Sequence, residues 1–95
     1  MISKPGLRRL IKKHPQAENE LLAWYKSVRA ADWSSMKDVR VAFPSADRVG
    51  RVLVFNILHN ELRLITVESF RSRRIFIKVL LTHKQYDRQE WAKWV

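Results

Sequence analysis

The 95-residue chain contains no cysteine, two glycines and three prolines. Without cysteine there is neither a disulfide framework nor a thiolate-ligated zinc or iron–sulfur centre, which suits a reducing cytoplasm. With only Gly6 and Gly50, a glycine-rich loop that cradles phosphate cannot be built. No apolar run approaches the ~20 residues that span a bilayer, and the basic N-terminus lacks the apolar stretch of a secretory signal. Acidic residues are scarce as well: nine Asp and Glu against 19 Lys and Arg leave a net charge of +10. What is present is apolar and aromatic material, 46% hydrophobic with four Trp, four Phe and two Tyr, which excludes a disordered tail. The length fits residues 1–95 into a single small domain. The charge favours a polyanionic partner through counterion release, with nucleic acid first, an anionic membrane surface second and an acidic protein third. It is silent on fold.

Along the chain, helical patterns come first and strand patterns second. Leu7, Leu10 and Ile11 form one apolar stripe of a short helix that ends before Pro15, with Lys4, Arg8, Arg9, Lys12 and Lys13 on its other face. A second helix is expected from Pro15, which a first helical turn tolerates. Leu21, Trp24, Tyr25 and Val28 fall at i, i+3, i+4 and i+7, the spacing of one buried face. Glu18 and Glu20 near its start and Lys26 and Arg29 near its end complement the helix dipole. Ser35 followed by Asp38 reads as a capping-box-like start of a short helix to about Val41. Phe43-Pro44-Ser45-Ala46-Asp47 should end it, because the residue before proline leaves the α region.

Gly50 opens the strand half. Residues 51–57, 61–68 and 73–81 are apolar, β-branched runs of strand length, and the breaks between them are too short for parallel crossovers. The predicted fold is α+β: two or three N-terminal helices packed on a three- to four-stranded antiparallel sheet. Strict alternation places Arg63, Ile65 and Val67 on one face of the middle strand, with Leu62, Leu64 and Thr66 opposite. In the last strand it groups Arg74, Phe76, Lys78 and Leu80 against Ile75, Ile77 and Val79. Arg63 and Lys78 thus sit mid-strand among apolar neighbours, where a cation must snorkel, pair with an acid or point into a cleft.

Thr82-His83-Lys84-Gln85-Tyr86-Asp87 follows the last strand directly. Histidine exchanges protons near neutral pH, and a phenol among cations can become more acidic. Metal-free RNA cleavage needs such groups: a base for the 2′-hydroxyl proton, cations for the phosphorane, and an acid for the leaving 5′-oxygen. A surface His and Tyr with only a structural role fit the same spacing. His14 reads as a residue leading into a helix and His59 as a turn residue, and no His or carboxylate pair has metal-ligand spacing. Trp91 and Trp94 could cap the core, anchor a partner or stack on bases.

Several motifs fall in a recognisable order. They are His14-Pro15-x-Ala17-Glu18, Leu22-x-Trp24-Tyr25, Phe43-Pro44-Ser45-Ala46-Asp47-x-Val49-Gly50 and Val54-Phe55-Asn56-Ile57. Asn60-x-x-Arg63-Leu64-Ile65, Ile75-x-Ile77-Lys78 and Thr82-His83-x-x-Tyr86-Asp87 follow. From about residue 4 to residue 87 the chain resembles a HigB-type toxin of the RelE-like superfamily. The resemblance implies a RelE-like α+β fold and a toxin of a type II toxin–antitoxin pair that cuts mRNA on the ribosome, in the cytoplasm, without a cofactor. It also implies a HigA-type helix-turn-helix antitoxin as partner. By motif, Arg63 and Lys78 would neutralise the scissile phosphate, and His83 and Tyr86 would transfer protons or orient the attacking hydroxyl. Arg71, Arg73, Arg74 and Lys84 are the expected RNA-backbone contacts.

The chain departs from that pattern in three places. The family commonly has Tyr where Leu62 stands and Gly where Leu81 stands, and its usual short acidic tail is replaced by residues 88–95. Loss of that glycine is expected to shift the chain entering the Thr82–Asp87 turn. The alternative function is a non-catalytic RNA- or ribosome-binding module that retains the toxin fold.

Overall fold

The computed structural model describes residues 4–31, 33–58, 61–72, 74–89 and 91–94. Helix α1 (Lys4–Lys13) is followed by a 3-10 turn (Pro15–Ala17), α2 (Glu18–Ala30) and α3 (Met36–Ala42). Strands β1 (Asp47–Val49), β2 (Val52–Ile57), β3 (Leu62–Ser69) and β4 (Arg74–Thr82) come next, then the short α4 (His83–Asp87). A last 3-10 turn spans Ala92–Trp94. The strands form one antiparallel sheet in sequence order, so the α+β expectation of helices on an antiparallel sheet holds. Strand β1 falls where only a helix stop was expected. Its three residues are all exposed and carry no alternation to read, and pairing with Val52–Val54 is what makes them a strand.

The helices bury their apolar stripes against one face of the sheet. Leu7, Leu10, Leu21, Trp24, Val28 and Val39 meet Leu53, Phe55, Ile57, Leu62, Leu64, Ile75 and Leu80 in the larger core. Phe55 lies at its aromatic centre, with ring centroids 5.3 Å from Trp24, 5.2 Å from Phe43 and 6.3 Å from Trp33. Gly6 brings α1 close to β4, since a Cβ there would lie 3.4 Å from Ile77 Cβ. The second face carries a smaller cluster of Val52, Val54, Ile65 and Leu81, with Val67, Val79, Tyr86, Trp91 and Trp94 packed against it. No helix covers it. We call it the open face.

Strict alternation fails in β4. The β3–β4 register steps from Ile65↔Val79 to Thr66↔Ile77, so Lys78 is an extra residue at a β-bulge. The bulge reverses the faces beyond it. Leu80 joins Ile75 and Ile77 in the helix-side core, while Val79 and Leu81 line the open face. An inserted residue has no signature in a period-2 pattern, so the expected grouping of Leu80 with Phe76 and of Val79 with Ile77 is corrected.

Two local expectations are also revised. Ser35 is the N-cap residue of α3, but its side chain makes no cap bond. Asp38 instead accepts from Ser34 N at 3.0 Å and Ser34 Oγ at 3.1 Å, and the Ser34 backbone bond chiefly holds its carboxyl below the usual aspartate range. Glu20, expected only to favour the helix dipole, accepts the Leu58 N–H with both carboxylate oxygens at 3.0 Å. Leu58 has φ 54°, a left-handed conformation that a leucine rarely adopts. The α2 carboxylate therefore holds the turn that leads β2 toward β3. His59 and Asn60 lie outside the described residues.

Candidate active site

The site is assembled where β4 ends. Thr82 caps α4 in a full capping box: Gln85 N donates to Thr82 Oγ1 at 3.3 Å and Thr82 N donates to Gln85 Oε1 at 3.0 Å. That cap fixes the first helical turn directly after the strand, so His83 and Tyr86, three residues apart, share one side of α4. Leu81, where the family has glycine, is a regular strand residue buried on the open face opposite Arg63. The only non-glycine residues with positive φ among those described are Leu58 and Gln89, so the turn into α4 needs no glycine. Leu62 is likewise buried, in the helix-side core.

Arg63, from the start of β3, reaches both α4 side chains. Its Nη2 donates to His83 Nε2 at 3.1 Å, and its guanidinium carbon lies 5.7 Å from the Tyr86 ring centroid. Its Nη1 also donates to Leu62 O at 3.3 Å. A guanidinium has no acceptor, so as a hydrogen bond this contact requires Nε2 of His83 to accept, which calls for the Nδ1–H tautomer of the ring. Tyr86 is half-buried, and its ring stacks on Trp91 at 5.4 Å and 15°. Trp91 Nε1 donates to Tyr86 O at 3.1 Å. The chain turns back at Gln89, whose φ is 59°, to bring Trp91 there. Of the alternatives for the two tryptophans, packing is observed, since both lie against the open-face cluster.

The expected cations divide. Lys78, at the bulge, is exposed and lies on the same face as Arg63, about 10 Å along the strand from Leu81 at ~3.3 Å per residue. Lys84 is exposed on α4. Arg74 pairs in register with Ser69 at the far end of the sheet, with the exposed Phe76 between it and Lys78. Arg71 is elsewhere: it lines a cleft with Arg48, Arg51, Glu68, Ser69 and Phe70. Arg73 lies outside the described residues. Arg48, Arg51 and Glu68 were not singled out by sequence reasoning, because they come from separate segments with no common spacing. The contact of Trp91 with Tyr86 had a signal, an aromatic five residues on, but nothing in the pattern chose that partner.

Residues 17–89 match the HigB toxin family, described as the RelE-like toxic component of a toxin–antitoxin system. The mRNA interferase toxin HigB of Escherichia coli (strain K12) is 30% identical over 90 residues, covering 92% of this chain and 86% of that protein. The mRNA interferase HigB of Shigella flexneri is similar to the same extent. That of Escherichia coli O6:H1 is 29% identical over 91 residues, with 93% and 88% covered. The chain is a RelE-like toxin of a toxin–antitoxin system. Within that class it belongs to the HigB family.

Proposed function

We propose that this chain, acting through residues 1–95 as one toxin domain, is an endoribonuclease that cuts mRNA on the ribosome and is restrained by a HigA-type helix-turn-helix antitoxin in the cytoplasm. The observation that carries the reading is the meeting of Arg63 with His83 and Tyr86, from β3 and α4, on the open face. The open face also supplies an approach for a single strand, with Arg74, Phe76 and Lys78 following one another toward that meeting point.

In this reaction the 2′-oxygen forms a bond to the adjacent phosphorus and the bond from phosphorus to the 5′-oxygen breaks, leaving a 2′,3′-cyclic phosphate. The Nε2 lone pair of neutral His83 is the acceptor for the 2′-hydroxyl proton once the Arg63 guanidinium turns to the phosphate. Tyr86, whose hydroxyl makes no hydrogen bond among the described residues, delivers a proton to the leaving oxygen. Arg63 and Lys78 offset the charge that grows on the phosphorane oxygens. Lys84 and Arg74 hold the flanking backbone, and Arg73 belongs to the same set by motif. No metal enters the scheme.

The test is transcript-end mapping with translating ribosomes and purified wild-type, Arg63→Ala and His83→Ala proteins. General acid–base and charge-stabilising groups contribute ~10²–10⁴-fold, so each variant should lose that much cleavage and keep most of its affinity. A folded wild-type protein that leaves transcript ends unchanged overturns the reading in favour of a binding module.

A further inference from the structure

Arg71 was expected among the RNA-backbone contacts with Arg73, Arg74 and Lys84, yet it sits diagonally across the sheet from Arg63. The cleft it lines measures about 460 Å³ and is formed by Arg48, Arg51, Glu68, Ser69, Phe70 and Arg71. Arg48 pairs in register with Leu53 and Glu68 with Ile75, and both Leu53 and Ile75 lie in the helix-side core. The cleft therefore opens on the helix side of the sheet, at the end of the β1–β2 and β3–β4 turns. The Arg63 cluster is on the open face at the other end, about 20 Å away along β3 at ~3.3 Å per residue.

The cleft is organised around one buried carboxylate. Glu68 accepts from Phe70 N at 2.7 Å and from Arg48 Nη2 at 3.3 Å. Arg48 also donates from Nε to Gly50 O at 2.8 Å and lies 5.5 Å from the Phe70 ring centroid, so its guanidinium is fixed on several sides. Arg51 is pinned by backbone pairing, with Glu68 N donating to Arg51 O at 2.8 Å, and spends only Nε on Glu68 O at 3.4 Å. Arg71 is exposed and makes no hydrogen bond or ion pair among the described residues. One carboxylate among three guanidiniums leaves a local excess of +2.

We propose that this cleft is a second phosphate site, taking the sugar–phosphate backbone of an RNA segment other than the strand being cut. Arginine forks match phosphate oxygens in pairs. The lining favours nucleic acid over protein, because protein interfaces centre on apolar anchors depleted in charge, whereas nucleic-acid interfaces are strongly positive. Among the described lining residues the only large apolar side chain is Phe70, and Arg48 lies over it. The proposal rests on the RNA-cleavage reading for the kind of polyanion involved. A second RNA contact so far from the cutting cluster gives a structural reason for cleavage to depend on a large folded RNA.

The experiment measures binding of a short RNA duplex by fluorescence anisotropy across a salt series, in a His83→Ala background so that the probe stays intact. Each phosphate contact contributes about 0.7–0.9 to the slope of log K against log salt, so Arg51→Ala with Arg71→Ala should make it shallower by about 1.5. Arg71→Ala alone, which removes no observed bond, should give about half of that. Removing the same charge from α3, by Lys37→Ala with Arg40→Ala, should leave the slope unchanged. An unchanged slope in the cleft variants, or an equal change in the α3 pair, overturns the proposal. So does loss of polyglutamate binding with RNA binding intact, which would mark an acidic-protein site. Cleavage is not measured, so failure here is distinct from failure of the Arg63 and His83 variants to lose activity.

Discussion

Trp91 is the side chain through which the C-terminal segment contacts Tyr86, and Trp91→Ala tests whether that contact positions Tyr86 for cleavage. The substitution removes the Tyr86–Trp91 stack at 5.4 Å and the bond from Trp91 Nε1 to Tyr86 O at 3.1 Å. Aromatic pairs contribute about 0.5–1.5 kcal/mol beyond area burial, and a neutral hydrogen bond about 0.5–1.5 kcal/mol. Together they amount to about 1–3 kcal/mol. With each ~1.4 kcal/mol equivalent to tenfold, the productive placement of Tyr86 would fall by about 5- to 150-fold. The lower half of that range is expected, because Arg63 still contacts the ring and the capping box still fixes α4. Trp91→Phe keeps a stacking ring and loses only the N–H bond, so it should recover most of the rate. The assay is steady-state cleavage with kcat and KM separated, alongside thermal melts. A positioning role lowers kcat at nearly constant KM and is rescued by Phe. If Trp91→Ala cuts at the wild-type rate, or if Phe and Ala variants lose activity only in proportion to their melting temperatures, the reasoning is wrong.

Other perturbations probe the frame around the site. Phe55→Ala removes the ring shared by Trp24, Trp33 and Phe43 and should cost about 3–5 kcal/mol, read as a lower denaturant midpoint at unchanged m-value; a loss below about 1 kcal/mol would contradict the packing. Glu20→Ala frees the Leu58 N–H and should cost about 1 kcal/mol, with faster hydrogen exchange at Leu58 as the specific signature. His14 has its pKa lowered, first by burial and then by Lys13, and its Nε2 is buried without a hydrogen-bond partner among the described residues. Its folded value lies below its unfolded value, so the stability it carries is fully present above about pH 6.5 and is lost as pH falls toward the folded value. Melting temperatures of wild type should therefore drop over that window, and His14→Gln should flatten the drop; parallel curves would refute the assignment.

The limits of reading the chain lie in particular residues. The stripe Leu21, Trp24, Tyr25 and Val28 announced α2, because one buried face imposes a 3.6-residue period on the sequence. The order and approximate ends of β2, β3 and β4 were legible as apolar, β-branched runs of strand length between short breaks, since β2 is buried on both faces and carries no alternation. Strand β1 was not, since its pairing partner rather than its own pattern makes it a strand. The bulge at Lys78 was invisible as well, yet it decides that Lys78 and Val79 both face the Arg63 side while Leu80 turns to the helices. Arg63, His83 and Tyr86 could be named from the family motifs, although their mutual contact could not.

The sequence by itself determined that this is a small basic α+β chain of the HigB kind, and which side chains could carry its chemistry. Composition, periodicity and motif are local properties, written residue by residue. Only the tertiary structure decided that the cations between Arg63 and Lys84 do not form one surface. Arg63 meets His83 and Tyr86 at one end, with Lys84 exposed on α4 and Lys78 about 10 Å up the strand from Leu81. Arg71 lines a cleft with Arg48, Arg51 and Glu68 on the other side of the sheet. The physical reason is that charge neighbours are set by strand register and turn geometry across long sequence separations. A single inserted residue in β4 is enough to change which side of the sheet a side chain meets.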